Sequence, residues 1–265
     1  MLYHISIYDT YLSFIFMNVV AYKTHKINPN ENLFEIFDKY LPDLQEKNIV
    51  AIASKIVGLC EGRVVKINPQ IPNQKDELVK KEAEYYLTRE YNQYGFMLTI
   101  NNNLLVGNAG IDESNANGYY SLWPKNPQES ANEIREYLAK KFKLKYLGII
   151  LTDSHLSPLR WGVTGYAIAH SGFRALNSYI GKPDIFGRLM HAEQSNIPDS
   201  LSSTAVAVMG EGDEQQPLSV IADVPFVDFQ DRNPTPKELD ELKIKLEDDI
   251  YSSLLTAVRW KKGGE

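Results

Sequence analysis

Residues Tyr146 to Asp153 read YLGIILTD, an unbroken apolar run closed by a threonine and a carboxylate. A run this short, rich in Ile and Leu, is the mark of a fully buried strand. NIVAIASKIV (residues 48–57) is of the same kind and predicts a second buried strand, with CEGRVVKI continuing after a turn. Met17 to Tyr22 alternates weakly and predicts a first strand. Between these runs lie helical patterns. Leu33, Phe34, Ile36, Phe37, Tyr40 and Leu41 recur at helical spacing. Residues 75–92 read as a charged helix with Tyr85 and Tyr86 on one face. Asn126, Pro127 and Glu129 supply helix-start chemistry to NPQESANEIREYLAKKF. Leu201 to Met209 is helix-like and stops at Gly210. Thr235-Pro236 with Glu238 opens a last amphipathic helix, expected to run to about Val258. Strands and helices alternate irregularly, without repeats or a long linker, which predicts a mixed α/β (α+β) fold of two interleaved lobes.

The bulk composition sets limits. The chain has 265 residues, 43% hydrophobic and 23% charged, and its mean hydropathy is −0.32. That suits a globular domain of ordinary size. A net charge of −6 argues against non-specific nucleic-acid binding. The one cysteine, Cys60, excludes an internal disulfide and a multi-cysteine zinc site, which makes a cytoplasmic location the expectation. Residues 1–16 are apolar and aromatic but lack a basic start and are too short to cross a membrane. They are expected to be an N-terminal extension, with residues 17–265 as the domain and Met17 as a possible natural start.

Three carboxylates close buried elements. Asp112 follows the apolar run 104–106, Asp153 ends YLGIILTD beside Ser154, and Glu211 lies just past Gly210. Hard oxygen donors of this kind suit magnesium or manganese, which hold substrate phosphates. Each is also a turn or cap residue in its own right, and no spacing rule links the three. A phosphate loop of the GxxxxGK[ST] type, GxGxxG, GxSxG and HExxH are all absent. The five histidines show no metal-ligand spacing.

Several long motifs resemble one family, the gamma-glutamyl ligases of coenzyme F-420. They are IASKIVGLCEGR (52–63), VGNAGIDESN (106–115), LWPKNPQESA (122–131), GIILTDSHLSPLRWGVTGYAIAHSG (148–172), GKPDIFGR (181–188) and VMGEG (208–212), in that order along the chain. The resemblance spans about residues 19 to 225. It implies a two-lobed fold assembled as an intertwined homodimer. It also implies an acid–amino-acid ligase that joins L-glutamate to an acceptor carboxylate through an acyl phosphate, without a protein nucleophile. Asp112, Asp153, Ser154 and Glu211 would hold divalent metal, two Mn or Mg ions, with K as a further cofactor. Lys23, Thr24, His25, Lys26, Ser54, Lys55, Asn115, Met209, Gly210 and Gly212 would contact the nucleotide, GTP or ATP. Arg160 and His170 would meet the acceptor.

The chain departs from the family at Leu59, where lysine is common, at Ser157, where arginine is frequent, and at His170, where glycine is usual. Lys26 is the expected compensating phosphate contact. Losing basic residues suits an acceptor without a phosphodiester, so a folate-type acceptor is the first expectation and the deazaflavin F-420-0 the alternative. An inactive metal- and nucleotide-binding homologue is the non-enzyme reading.

Overall fold

The computed structural model describes residues 16–264, so the expected extension lies outside the described residues except for Phe16. The chain opens with β1 (Asn18–Tyr22), α1 (Leu33–Tyr40), β2 (Ile49–Ala53) and α2 (Ser54–Cys60). An inserted lobe follows: β3 (Val64–Lys66), α3 (Gln74–Glu82), β4 (Tyr85–Tyr86), β5 (Leu98–Asn101), β6 (Leu104–Gly107) and β7 (Tyr119–Ser121). The first lobe then resumes with α4 (Pro127–Phe142), β8 (Gly148–Leu156), β9 (Val163–Ser171), β10 (Leu176–Ser178), β11 (Gln194–Asn196), α5 (Ile197–Met209) and β12 (Leu218–Ala222). A tail adds α6 (Pro236–Asp240), α7 (Ser252–Leu255) and β13 (Lys261–Lys262).

The main sheet has the order β1-β12-β2-β8-β9, in which only β2 and β8 run parallel. These two centre strands are the buried runs of the sequence. Ile49 to Ile52 and Ile149 to Leu151 have no exposed area. Each such Ile or Leu side chain contributes about 1.5–3 kcal/mol by leaving water. One face of the sheet packs with Ile134 and Leu138 of α4, and the other with Leu201, Ala205 and Met209 of α5. The second lobe has its own cluster, with Val79, Met97 and Leu122 among its members. Its four-stranded sheet, β13-β4-β5-β6, draws the tail back onto it. The lobes meet closely at Gly58 of α2, where a Cβ would lie 2.2 Å from the Leu122 carbonyl oxygen. The fold is mixed α+β, as expected.

Four elements differ from expectation. The strand in NIVAIASKIV stops at Ala53, and α2 takes the rest, because the apolar residues past Ala53 pack as one helical face. The helix in 75–92 ends at Glu82, and the tyrosine pair forms a strand, so its side chains point to opposite faces. The C-terminal helix has the expected capping box, Thr235 with Glu238, yet ends at Asp240, and none of its residues is buried. Capping alone does not extend a helix that lacks a packed face. Finally, α5 begins four residues before Leu201, at Ile197, capped by Asn196.

Candidate functional site

The site forms where the parallel pairing of β2 with β8 ends, a common place for ligands in sheets with parallel strands. Ala53 and Thr152 are the last register partners of that pairing, so α2 starts beside Asp153, which continues β8 opposite Tyr166 of β9. The segment after β6 brings the inserted lobe to the same place. Asn108, Ala109 and Gly110 all take positive φ, at 52°, 53° and 76°. This run is held by bonds from Met97 N to Asn108 Oδ1 (3.1 Å) and from Ala109 N to Thr99 Oγ1 (2.9 Å). Strain of this kind persists only where its surroundings impose it. Gly110 is obligatory, since a Cβ there would lie 2.2 Å from the Trp123 ring. The chain then turns, and Asp112 pairs with Ser121.

Lys55, the second residue of α2, donates to Asp112 Oδ2 at 2.6 Å and to the Ser114 carbonyl at 3.0 Å. The backbone N–H groups of Glu113 and Ser114 reach Asp112 Oδ1 at 2.7 and 3.1 Å, and the Ser114 hydroxyl bonds Oδ2. Burial alone would raise the Asp112 carboxyl, but Lys55 and Ser114 outweigh it and hold the group at about 2. Asp153 behaves in the opposite way. Burial, with the charge of Asp112 adding to it, pushes its carboxyl up to about 6, although Trp123, the Ser154 N–H and Lys55 all favour the ionised form. Trp123 donates its indole N–H to Asp153 Oδ2, and Ser154 N bonds Oδ1 at 2.8 Å.

The third carboxylate arrives from the end of α5. Glu211 Oε2 accepts the Ser154 hydroxyl at 2.6 Å. Asn115 Nδ2 donates to the Gly212 carbonyl at 2.9 Å, tying the inserted lobe to the loop after α5. The segment after β1 joins the same loop, with Thr24 N donating to the Gln215 carbonyl at 2.9 Å. Asp112, Asp153, Ser154, Glu211, Lys55, Asn115, Gly210 and Gly212 are thus brought into one cleft. Thr24, bonded to that loop, is buried, while Lys23 and Lys26 near it in sequence are exposed. Ser54 and Met209 are buried behind it. His25 is engaged elsewhere, its ring nitrogens bonded to Tyr40 Oη (2.9 Å) and Glu31 Oε2 (2.6 Å).

Two expected acceptor residues are not brought in. Arg160 lies on the exposed β8–β9 turn. His170 lies four residues along β9 from Tyr166, the partner of Asp153, and pairs with Ile150. It is buried against Phe173, and burial holds its imidazole down to about 4. Two other cleft residues, Trp123 and Tyr166, lie inside the motifs at 122–131 and 148–172 but were not among the expected site residues. The need of a buried indole N–H for an acceptor was the one clue to Trp123.

The donors are all hard oxygens, which suit a divalent ion of the magnesium or manganese class. Like-charge repulsion helps hold Asp153 up, and a bound cation would relieve it. Lys55 already supplies a cation to Asp112. Among the described residues no three His, Cys, Asp or Glu side chains, as placed, enclose an ion. The chemistry fits such an ion, with side-chain rotation required to close around it.

The sequence profile of the F420-0:Gamma-glutamyl ligase family matches residues 21–223. A coenzyme F420:L-glutamate ligase of Methanococcus maripaludis is 35% identical over 251 residues, covering 89% of this chain and 97% of the relative. One of Methanocaldococcus jannaschii is 35% identical over 79% of this chain and 89% of its own length, and one of Methanopyrus kandleri 32% over 74% and 82%. The match runs through both lobes and every segment that builds the cleft. The chain belongs to the F420-0:gamma-glutamyl ligase family and is an amide-bond-forming ligase.

Proposed function

We propose that this ligase joins L-glutamate to the carboxylate of a deazaflavin acceptor of the coenzyme F420 type, driven by a nucleoside triphosphate. The observation that carries the reading is the single cleft in which Asp112, Asp153, Ser154 and Glu211 meet Lys55 and the Asn115–Gly212 link. An acceptor carboxylate oxygen attacks the γ-phosphorus and the β–γ bridging P–O bond breaks, releasing the diphosphate. The glutamate amine then attacks the acyl carbon, loses a proton, and phosphate leaves. Asp112, Asp153, Ser154 and Glu211 would hold divalent metal, which when bound neutralises phosphate charge during transfer. Lys55, held at Asp112, and the exposed Lys26 would add positive charge to the same end. The rest of the protein's work is positioning.

The names of the relatives favour a deazaflavin acceptor over the folate-type one. Leu59 is buried in α2, where it serves packing, and Ser157 sits on an exposed turn. The reading includes a homodimer, supported by exposed Leu156, Leu159, Trp161, Ile185 and Phe186, an apolar surface of the sort that partners cover. It also places the reaction in the cytoplasm. No described helix is long and apolar enough to cross a membrane.

The test is a product assay by mass spectrometry with glutamate, Mg or Mn, and GTP or ATP. The deazaflavin acceptor and tetrahydrofolate are offered together, with Asp153→Ala as control. A gain of one glutamate on the deazaflavin, lost in the control, is the expected result. Modification of tetrahydrofolate alone, or of neither, would reject this reading of the acceptor.

A further inference from the structure

The hydroxyl of Tyr166 is buried and has no hydrogen-bond partner among the described residues, and the residue is only 5% exposed. Buried tyrosine hydroxyls ordinarily find a partner, and an unpaired one carries a desolvation penalty. Phenylalanine would fill the same volume without it. The location is informative. Tyr166 of β9 is the cross-strand partner of Asp153 of β8, so both side chains stand on one face of the sheet, with Cβ atoms about 5 Å apart. The Trp123 ring, whose N–H holds Asp153, lies 6.5 Å from the Tyr166 ring, and the His155 ring lies 5.0 Å from it. The phenol is therefore fixed by its ring, and its enclosed O–H is left without a partner among the described residues. Asp153 already accepts Trp123 on one oxygen and Ser154 N on the other.

Resting on the ligase reading above, we propose that Tyr166 is a ligand-contacting residue whose hydroxyl donates to a phosphoryl oxygen of the nucleotide bound at Asp153. An O–H to anionic-oxygen bond is short and about twice as strong as a neutral one. A neutral phenol supplies it without adding a charge that would repel Lys55 or a metal. Asp153 of β8 and Trp123, from the segment after β7, orient the site, and Tyr166 of β9 completes it.

The test compares wild type with Tyr166→Phe. Ligand-free melting temperature, Mn binding, and affinity for a non-hydrolysable GTP or ATP analogue with Mn are measured. Glutamate and the deazaflavin acceptor are titrated in separate arms to distinguish a carboxylate oxygen from a phosphoryl one. The expected result is a ligand-free melting temperature unchanged or raised and Mn binding alone unchanged. Analogue affinity should be weaker by about tenfold or more, as for loss of a bond to a charged group. A lower ligand-free melting temperature with unchanged analogue affinity would mean that the hydroxyl is bonded within the protein, and would overturn the assignment. Loss confined to the glutamate or acceptor arm would also overturn it. If wild type binds no nucleotide, the ligase reading fails. If wild type binds and the variant matches it, only the Tyr166 assignment fails.

Discussion

Asp153→Asn should stabilise the ligand-free protein while abolishing its activity. Folding raises the Asp153 carboxyl from 3.8 to about 6, mainly by burial. At 1.36 kcal/mol per pH unit, keeping it ionised at neutral pH costs the ligand-free fold about 3 kcal/mol. Asparagine retains an oxygen for the Trp123 N–H and nearly the same shape and has no charge to bury, but its NH2 cannot accept the Ser154 N–H, so about 3 kcal/mol is the upper bound of the gain. The sign follows from proton counting. Between pH 3.8 and about 6 the folded protein holds the Asp153 proton more tightly than the unfolded chain does. Wild-type stability therefore declines as pH rises through that window. The advantage of the variant is small near pH 4 and complete above pH 7. For a chain of this length 3 kcal/mol corresponds to about 6 °C in melting temperature. Calorimetry in EDTA from pH 4.5 to 8, together with urea unfolding, measures it. Adding Mn and nucleotide should stabilise wild type and leave the variant unmoved. A variant less stable than wild type at pH 8 in EDTA, or a difference independent of pH, would refute the idea that burial of this charge dominates.

Three further outcomes follow from the same geometry. Lys55→Met removes the cation that holds Asp112 at about 2. Because Asp112 is nearly half exposed, the loss of stability should be about 1 kcal/mol or less, whereas nucleotide turnover should fall at least a hundredfold in a phosphate-release assay. Gly110→Ala forces a Cβ into the Trp123 ring and a side chain into positive φ. It should destabilise by about 3 kcal/mol or more, read by urea unfolding and by a shift in tryptophan fluorescence. Cys60, whose thiol burial and the nearby Glu31 and Glu61 push up to about 12, should resist iodoacetamide at pH 8 in the folded protein and react once unfolded, as mass spectrometry would show.

Local chemistry determined much of this fold in advance. An apolar run bounded by polar residues becomes a buried strand whatever surrounds it, and Gly148–Leu156 did so. Asn126 with Pro127 caps a helix because four N–H groups need acceptors there, and the Asn126 side chain accepts from Glu129 N. Such demands are met within a few residues, so they can be read from the chain. The misreadings came where packing outweighed local preference. In residues 48–57 β-branched composition favoured strand throughout, but past Ala53 the chain buries Ile56 and Val57 on a helical face. The cap at Thr235 was legible, yet the helix beyond it had nothing to pack against.

The cleft was legible only in pieces. Asp112, Asp153 and Glu211 could be singled out as carboxylates ending buried elements, and the motifs marked the same residues. What the chain alone could not supply was their mutual charge state. Asp112 stays ionised because Lys55, 57 positions away in sequence, reaches it, whereas Asp153 is pushed towards neutrality by burial, against the Trp123 N–H that favours its charged form. Two aspartates of one residue type thus acquire opposite tendencies from neighbours distant in sequence. Tyr166 is set beside Asp153 by the β8–β9 register, which includes a shift at Leu151/Thr152. Sequence chemistry determined the elements and the donor atoms. Tertiary structure decided which donors meet, because Coulomb energy and desolvation depend on distance and burial, and neither is a property of a residue by itself.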